Sequence, residues 1–180
     1  LIGEGVSELG YTQTEIDQWM QVAIDEANQA RIIGEVPIGA VIVKDGQIIG
    51  RGHNIREHAQ DATLHAEIIA IQEACMVEKS WRLEDTAIFV TLEPCPMCAG
   101  AIINSRIPNV YFGASDPKAG VTGTLMNLLT DKRFNHQATV VAGVREGECA
   151  ALLQTFFKKI RENRRKKKKK TGNFKPNQVE

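Results

Sequence analysis

Two short stretches carry the residue types that do chemistry, His65-Ala66-Glu67 and Pro94-Cys95-Pro96-Met97-Cys98. One imidazole and two thiolates form a good ligand set for zinc, and a three-ligand tetrahedral site keeps one position open for a water. Such a water loses a proton near neutral pH and becomes a nucleophile. A carboxylate, Glu67, lies two residues from the imidazole. Two duller readings compete. A closed structural zinc needs a fourth ligand, which Cys75, Cys149, His53, His58 or His136 would have to supply, and none stands at a short metal-ligand spacing. A redox dithiol would use the same C-x-x-C pair, but it leaves the His-x-Glu without a part. The open zinc site accounts for more of the residues.

The elements that must position these residues can be read from pattern. Thr12-Gln13-Thr14-Glu15 is a capping box. Apolar residues at Ile16, Trp19, Met20, Ala23, Ile24 and Ala27 then predict a helix ended by Gly34 and Pro37. Ile38 to Val43 predicts a strand, Asp45-Gly46 a hairpin turn, and Gln47 to Gly52 the returning strand. Arg51 to Thr63 is loop-like and offers Asp61 or Thr63 as a cap. A helix from Leu64 to Val77 is predicted to bury Leu64, Ile68, Ile71 and Cys75, which puts His65 and Glu67 in its first turn. The apolar run Ala87 to Leu92 predicts a central buried strand, and Pro96 suits the first position of the helix after it.

Further on, the pattern predicts a strand over 107–113, a glycine-rich loop over 114–124 and a short helix from Leu125. A strand over 138–144 and a helix from Glu148 to about Lys169 complete the chain, the helix burying Ala151, Leu152, Thr155 and Phe156. The succession implies an α/β domain, its mixed sheet covered on both faces. Both ligand stretches fall where a strand gives way to a helix, the place where open α/β sheets hold their ligands.

Bulk composition agrees with one domain plus appendages: 180 residues, 43% hydrophobic and 24% charged. We read residues 1–10 as a disordered leader without signal-peptide character, 11–163 as the domain, and 164–180 as a flexible basic tail. No apolar run reaches the roughly 18–20 residues of a membrane span. A net charge of zero hides a division. Residues 1–157 hold 11 Lys and Arg against 20 Asp and Glu, a net −9, whereas residues 158–180 hold 11 against 2, a net +9. A basic end on an acidic body points to a polyanionic partner. The four cysteines lack a secretory context, so they are expected to be reduced.

With these motifs in hand, the chain resembles the zinc-dependent nucleobase deaminase superfamily, whose signature is H-x-E followed by P-C-x-x-C. Over residues 12–160 it is similar to the bacterial tRNA-specific adenosine deaminases within it. That likeness rests on Pro37-Ile38-Gly39-Ala40-Val41, Gly52-His53-Asn54, His65-Ala66-Glu67-Ile68, the run Leu92 to Ala101, and Phe112 to Lys118. The resemblance implies a three-layer α/β/α, cytidine-deaminase-like fold around a mixed five-stranded sheet. It implies one zinc per subunit, held by His65, Cys95 and Cys98, whose hydroxide attacks C6 of adenosine at wobble position 34 of a tRNA anticodon. Glu67 would shuttle the proton. Asn54 and Ala66 would bind the base, and Asp116 the neighbouring nucleotide. Phe156, Phe157, Lys158, Lys159 and Arg161 would meet the RNA, one phenylalanine packing inward and the other reaching a base. Ser115 departs from the larger residue usual at its position. A cytoplasmic homodimer bound to an anticodon stem-loop is the expected assembly. Deamination of a free base or nucleoside, and a non-catalytic zinc module, are the alternatives.

Overall fold

In the computed structural model, which describes residues 10–171, ten elements follow one another. They are α1 (Gln13–Ile32), β1 (Gly39–Lys44), β2 (Gln47–His53), α2 (Arg56–Ala59), α3 (Ala66–Glu78), β3 (Ala87–Leu92), α4 (Pro96–Ser105), β4 (Asn109–Ala114), β5 (Thr139–Val141) and α5 (Glu146–Thr171). Apart from Gly10, the 1–10 leader lies outside the described residues, as does the tail beyond Thr171.

Local chemistry sets the early elements. Glu15 N–H donates to the Thr12 hydroxyl at 3.2 Å, and Thr12 N–H donates to the Glu15 carboxylate at 2.8 Å, closing the capping box. Asp45 and Gly46, at φ 49° and 70°, make the tight turn that joins β1 to β2. The sheet order is β2-β1-β3-β4-β5; β1 pairs antiparallel with both β2 and β3, and β4 pairs parallel with β3 and β5. Alternation along the strands divides the core in two. Ala40, Ile42, Ile88, Val90, Val110 and Phe112 pack with α3 and α4 residues on one face. Val41, Val43, Phe89 and Tyr111 pack with Ile16, Met20, Ile24 and Cys149 of α1 and α5 on the other. The expected three-layer mixed sheet is the one observed.

Three expectations need correction. The buried face of α3 is Ala66, Glu67, Ala70, Ile71 and Ala74, not the larger residues Leu64, Ile68 and Cys75. A Cβ on Gly52 would fall 2.2 Å from the Ala66 carbonyl oxygen, and one on Gly50 2.2 Å from that of Ala70, so helix and strand backbones nearly touch and only small residues fit. No helix follows Leu125. Gly123 N–H donates to Met126 O at 2.9 Å and Leu128 N–H to Val121 O at 2.9 Å, which folds the stretch into turns that bury Leu129. On α5, Ala151 and Thr155 are exposed, and the covered side runs through Cys149, Leu152, Leu153, Phe156 and Ile160.

The close approach yields a first prediction. Gly52→Ala should lower the urea midpoint by an amount equivalent to about 3 kcal/mol, because the methyl meets backbone and α3 must move. Gly147→Ala, where a Cβ meets nothing within 4 Å, should leave stability unchanged or slightly raised. Equal midpoints for the two variants would refute the contact.

Candidate metal centre and cleft

His65 and Cys95 are the N-cap residues of α3 and α4, both in extended conformation, and neither side chain caps its own helix. Both side chains turn toward each other. His65 Nδ1 lies 3.7 Å from Cys95 Sγ and 3.6 Å from Cys98 Sγ, and the three ligand atoms all fall within 4.8 Å of one another. That spacing suits a single tetrahedral ion with metal–sulfur bonds near 2.3 Å. Among the described residues this is the one cluster of three or more His, Cys, Asp or Glu so arranged. Two helix N-termini, rich in unpaired N–H groups, point at it and favour negative charge there. The Cys95 thiol is pulled down to about 4, first by the hydrogen bond from Cys98, then against burial by that from His65. Cys98, fully buried, is pushed up by the same pairing with Cys95 and by burial. The site stabilises a thiolate, as a metal site must.

Glu67 stands in the first turn of α3 and is 4% exposed. Burial pushes its carboxyl up to about 7, opposed chiefly by a backbone hydrogen bond, so it can exist in either protonation state at neutral pH.

His65 of the cluster lines a cavity of about 370 Å³. Val36, Asn54 and Arg56, Asp116 and Lys118, and Leu153 and Phe157 of α5 line it as well. Asn54 is oriented on three sides: its Nδ2 donates to Glu35 Oε2 at 3.4 Å and Val36 O at 3.3 Å, and its Oδ1 accepts from Arg56 N–H at 3.3 Å. The Asp116 carboxylate accepts from Lys118 N–H at 2.9 Å and Ala119 N–H at 3.2 Å, so it closes a turn as well as lining the cleft. The Ala66 methyl is buried in the core beside β2, and Ala66 is not among the residues lining the cleft.

The other candidates separate. Phe157 lines the cleft and is 42% exposed, whereas Phe156 faces a second groove beside Arg31 and Ile32. Arg161 sits beside Phe157 and Lys118 at the rim, while Lys159 belongs to the second groove and Lys158 lines neither. His53 pairs with Glu26 at 3.0 Å and His136 with Ile107 O at 2.7 Å; neither reaches the cluster. Cys149 packs beneath Gly113, and burial pushes its thiol up to about 11.

Two buried carboxylates escaped the sequence reading. Glu35, 2% exposed, accepts from His58 N–H at 2.5 Å and from Asn54. Glu93, also 2% exposed, accepts from the loop beyond β4. Burial pulls Glu93 upward, but the Thr124 hydroxyl and the amides of Asp116, Thr124 and Thr122 outweigh it and hold the carboxyl below its ordinary value. The signal was an acid flanked by glycine, proline and apolar residues, where a charge must be buried and therefore bonded.

The sequence matches the model of the MafB19-like deaminase family over residues 14–161, and the chain belongs to that deaminase family. Among proteins similar to it, the tRNA-specific adenosine deaminase of Bacillus subtilis (strain 168) is 53% identical over 156 residues, 87% of this chain and 97% of the relative. That of Haemophilus influenzae is 43% identical over 85% of this chain and 90% of its own. A structure solved in work on A-to-I editing by tRNA:A34 deaminases at the wobble position of transfer RNA superposes with a TM-score of 0.73 at 41% identity, covering 76% of this chain and 99% of the other. The expected cytidine-deaminase-like fold is thereby established. Among the described residues no helix is long and apolar enough to cross a membrane.

Proposed function

We propose that the protein is a zinc enzyme that converts adenosine to inosine at the wobble position of a tRNA anticodon. One observation carries the reading: His65, Cys95 and Cys98 cluster beside a buried Glu67, and His65 lines a cleft, in a chain 53% identical to a tRNA-specific adenosine deaminase. His65 Nδ1 and the two sulfurs would hold the zinc, which when bound supplies the Lewis acidity that activates a water for attack on C6. Glu67 would take a proton from the attacking water and give it to ring N1, then take the proton of the C6 hydroxyl so formed and pass it to the amino group, which leaves as ammonia while the C6 carbonyl forms. Its buried carboxyl, near neutrality, suits both transfers. Asn54, held by Glu35 and Val36, would offer a fixed amide to the purine edge and Ala66 its backbone, and Asp116, which lines the same cleft, would meet the next nucleotide. Phe157 at the rim gives a base a surface to stack on. An anticodon loop presents its base unpaired, so no duplex has to open.

The exposed cations Lys158, Lys159, Arg161 and those from Arg164 to Lys168 would bind phosphates of the stem-loop. The reading includes a cytoplasmic homodimer; the exposed Leu125, Met126 and Phe134 supply apolar surface for a second copy to cover. The test is inosine formation in an adenosine-34 stem-loop by zinc-loaded protein, and absence of product refutes the reading. Free guanine in the same assay addresses the rival suggested by the Bacillus subtilis guanine deaminase, 38% identical with a TM-score of 0.55 over 60% of this chain and 69% of that one.

Deleting residues 164–180 should weaken stem-loop binding and flatten its dependence on salt. Each single-strand phosphate contact contributes about −0.7 to the log–log slope, so loss of three shifts it by about 2. Titrations by fluorescence anisotropy at several salt concentrations measure this, and an unchanged slope would mean that these cations only face solvent.

A further inference from the structure

The hydrogen bonds of the Glu93 carboxylate run to one loop. Oε1 accepts from Thr122 N–H at 3.1 Å and Thr124 N–H at 3.0 Å. Oε2 accepts from Asp116 N–H at 3.0 Å and from the Thr124 hydroxyl. Gly120 lies against the same group: a Cβ there would stand 2.3 Å from the carboxyl carbon and from Oε2. The main chain adds two ties, Glu93 N–H to Ala114 O at 2.8 Å and Val121 N–H to Pro94 O at 3.1 Å. Ser115 to Lys118, the near end of this loop, line the cleft, while Glu93 is buried and does not line it.

Four donors converging on two oxygens define a carboxylate. A glutamine could accept at one end only, and its amide N–H groups would face donors at the other. A buried group so fully bonded costs a great deal to disturb, so it can hold a loop in one conformation.

We propose that Glu93 is a positioning residue that holds the 115–124 loop as the wall receiving the nucleotide beside the target base. It thereby sets substrate affinity and leaves the chemical step to Glu67. The proposal rests on the tRNA reading above.

The test compares wild type, Glu93→Gln and Gly120→Ala, the last of which displaces the carboxylate without altering it. Zinc per chain, kcat and KM for inosine formation in the stem-loop, and Kd for the fluorescein-labelled stem-loop are measured on each. Both variants should keep one zinc and a kcat within about threefold, while KM and Kd rise about tenfold or more. Unchanged KM and Kd, or a kcat that falls alone, would overturn the proposal. Loss of zinc would do so too, since Glu93 would then be acting through Cys95. If wild type forms no inosine, the functional reading fails, and the Kd comparison still decides whether Glu93 shapes the RNA-binding wall.

Discussion

Replacing Glu67 by Ala or Gln should reduce inosine formation by about a thousandfold or more while zinc content stays at one per chain. Positioned general acid–base groups contribute roughly 10²–10⁴ in rate, and Glu67 is asked to act in both directions within one turnover. The two substitutions separate chemistry from packing. Glu67 is buried beside Cys98, so Ala leaves a void that itself costs stability. Gln preserves the volume and removes a charge that burial disfavours, so its melting temperature should not fall. Single-turnover assays with saturating enzyme and metal analysis of the same preparations read the outcome. Activity within tenfold of wild type in Glu67→Gln would remove this residue from the mechanism.

The second large effect is that of the metal. Cys98→Ala, or stripping with a chelator, should abolish activity and lower the melting temperature by about 10 °C. A ligand present at about a thousand times its Kd stabilises the native state by about 4 kcal/mol, and a chain of this size shifts about 2–4 °C per kcal/mol. The fold should survive, because α3 and α4 are packed on the sheet through Ala66, Ala70, Ala99 and Ile102 independently of the ion. Thiol labelling gives a readout separate from catalysis. Stripped protein should expose a fast-reacting Cys95, whose thiol sits at about 4, whereas Cys149, at about 11 and 1% exposed, stays inert. Equal labelling before and after stripping would show that Cys95 is not a metal ligand.

The two predictions draw on different levels of information. The candidate metal cluster of His65, Cys95 and Cys98, with Glu67 near it, was legible because its signals are short-range: His-x-Glu and Cys-x-x-Cys each span only a few residues. The capping box, the Asp45-Gly46 turn, β3 and the Pro96 start of α4 were legible for the same reason, since dihedral preference and hydrogen bonding between near neighbours fix them.

The α3 face was misread because hydrophobic periodicity weighs side-chain size, while the packing there is set by how near two backbones come at Gly50 and Gly52. The expected helix after Leu125 gave way to turns whose backbone bonds reach Val121 and Gly123, partners that a local apolar count does not see. Likewise, two adjacent phenylalanines are equivalent in sequence, and only the packing of α5 against the body puts Phe157 on the cleft and Phe156 beside Arg31.

His65 and Cys95 stand 30 residues apart and meet because the turns after β2 and β3 deliver two helix starts to the same end of the sheet. Sequence alone thus determined which atoms could bind a metal and move a proton. The tertiary structure decided that they meet, and that Glu35 and Glu93 brace the two walls of the cleft around them. The physical reason is that burial and hydrogen-bond satisfaction are settled between distant segments, where spacing along the chain carries no distance.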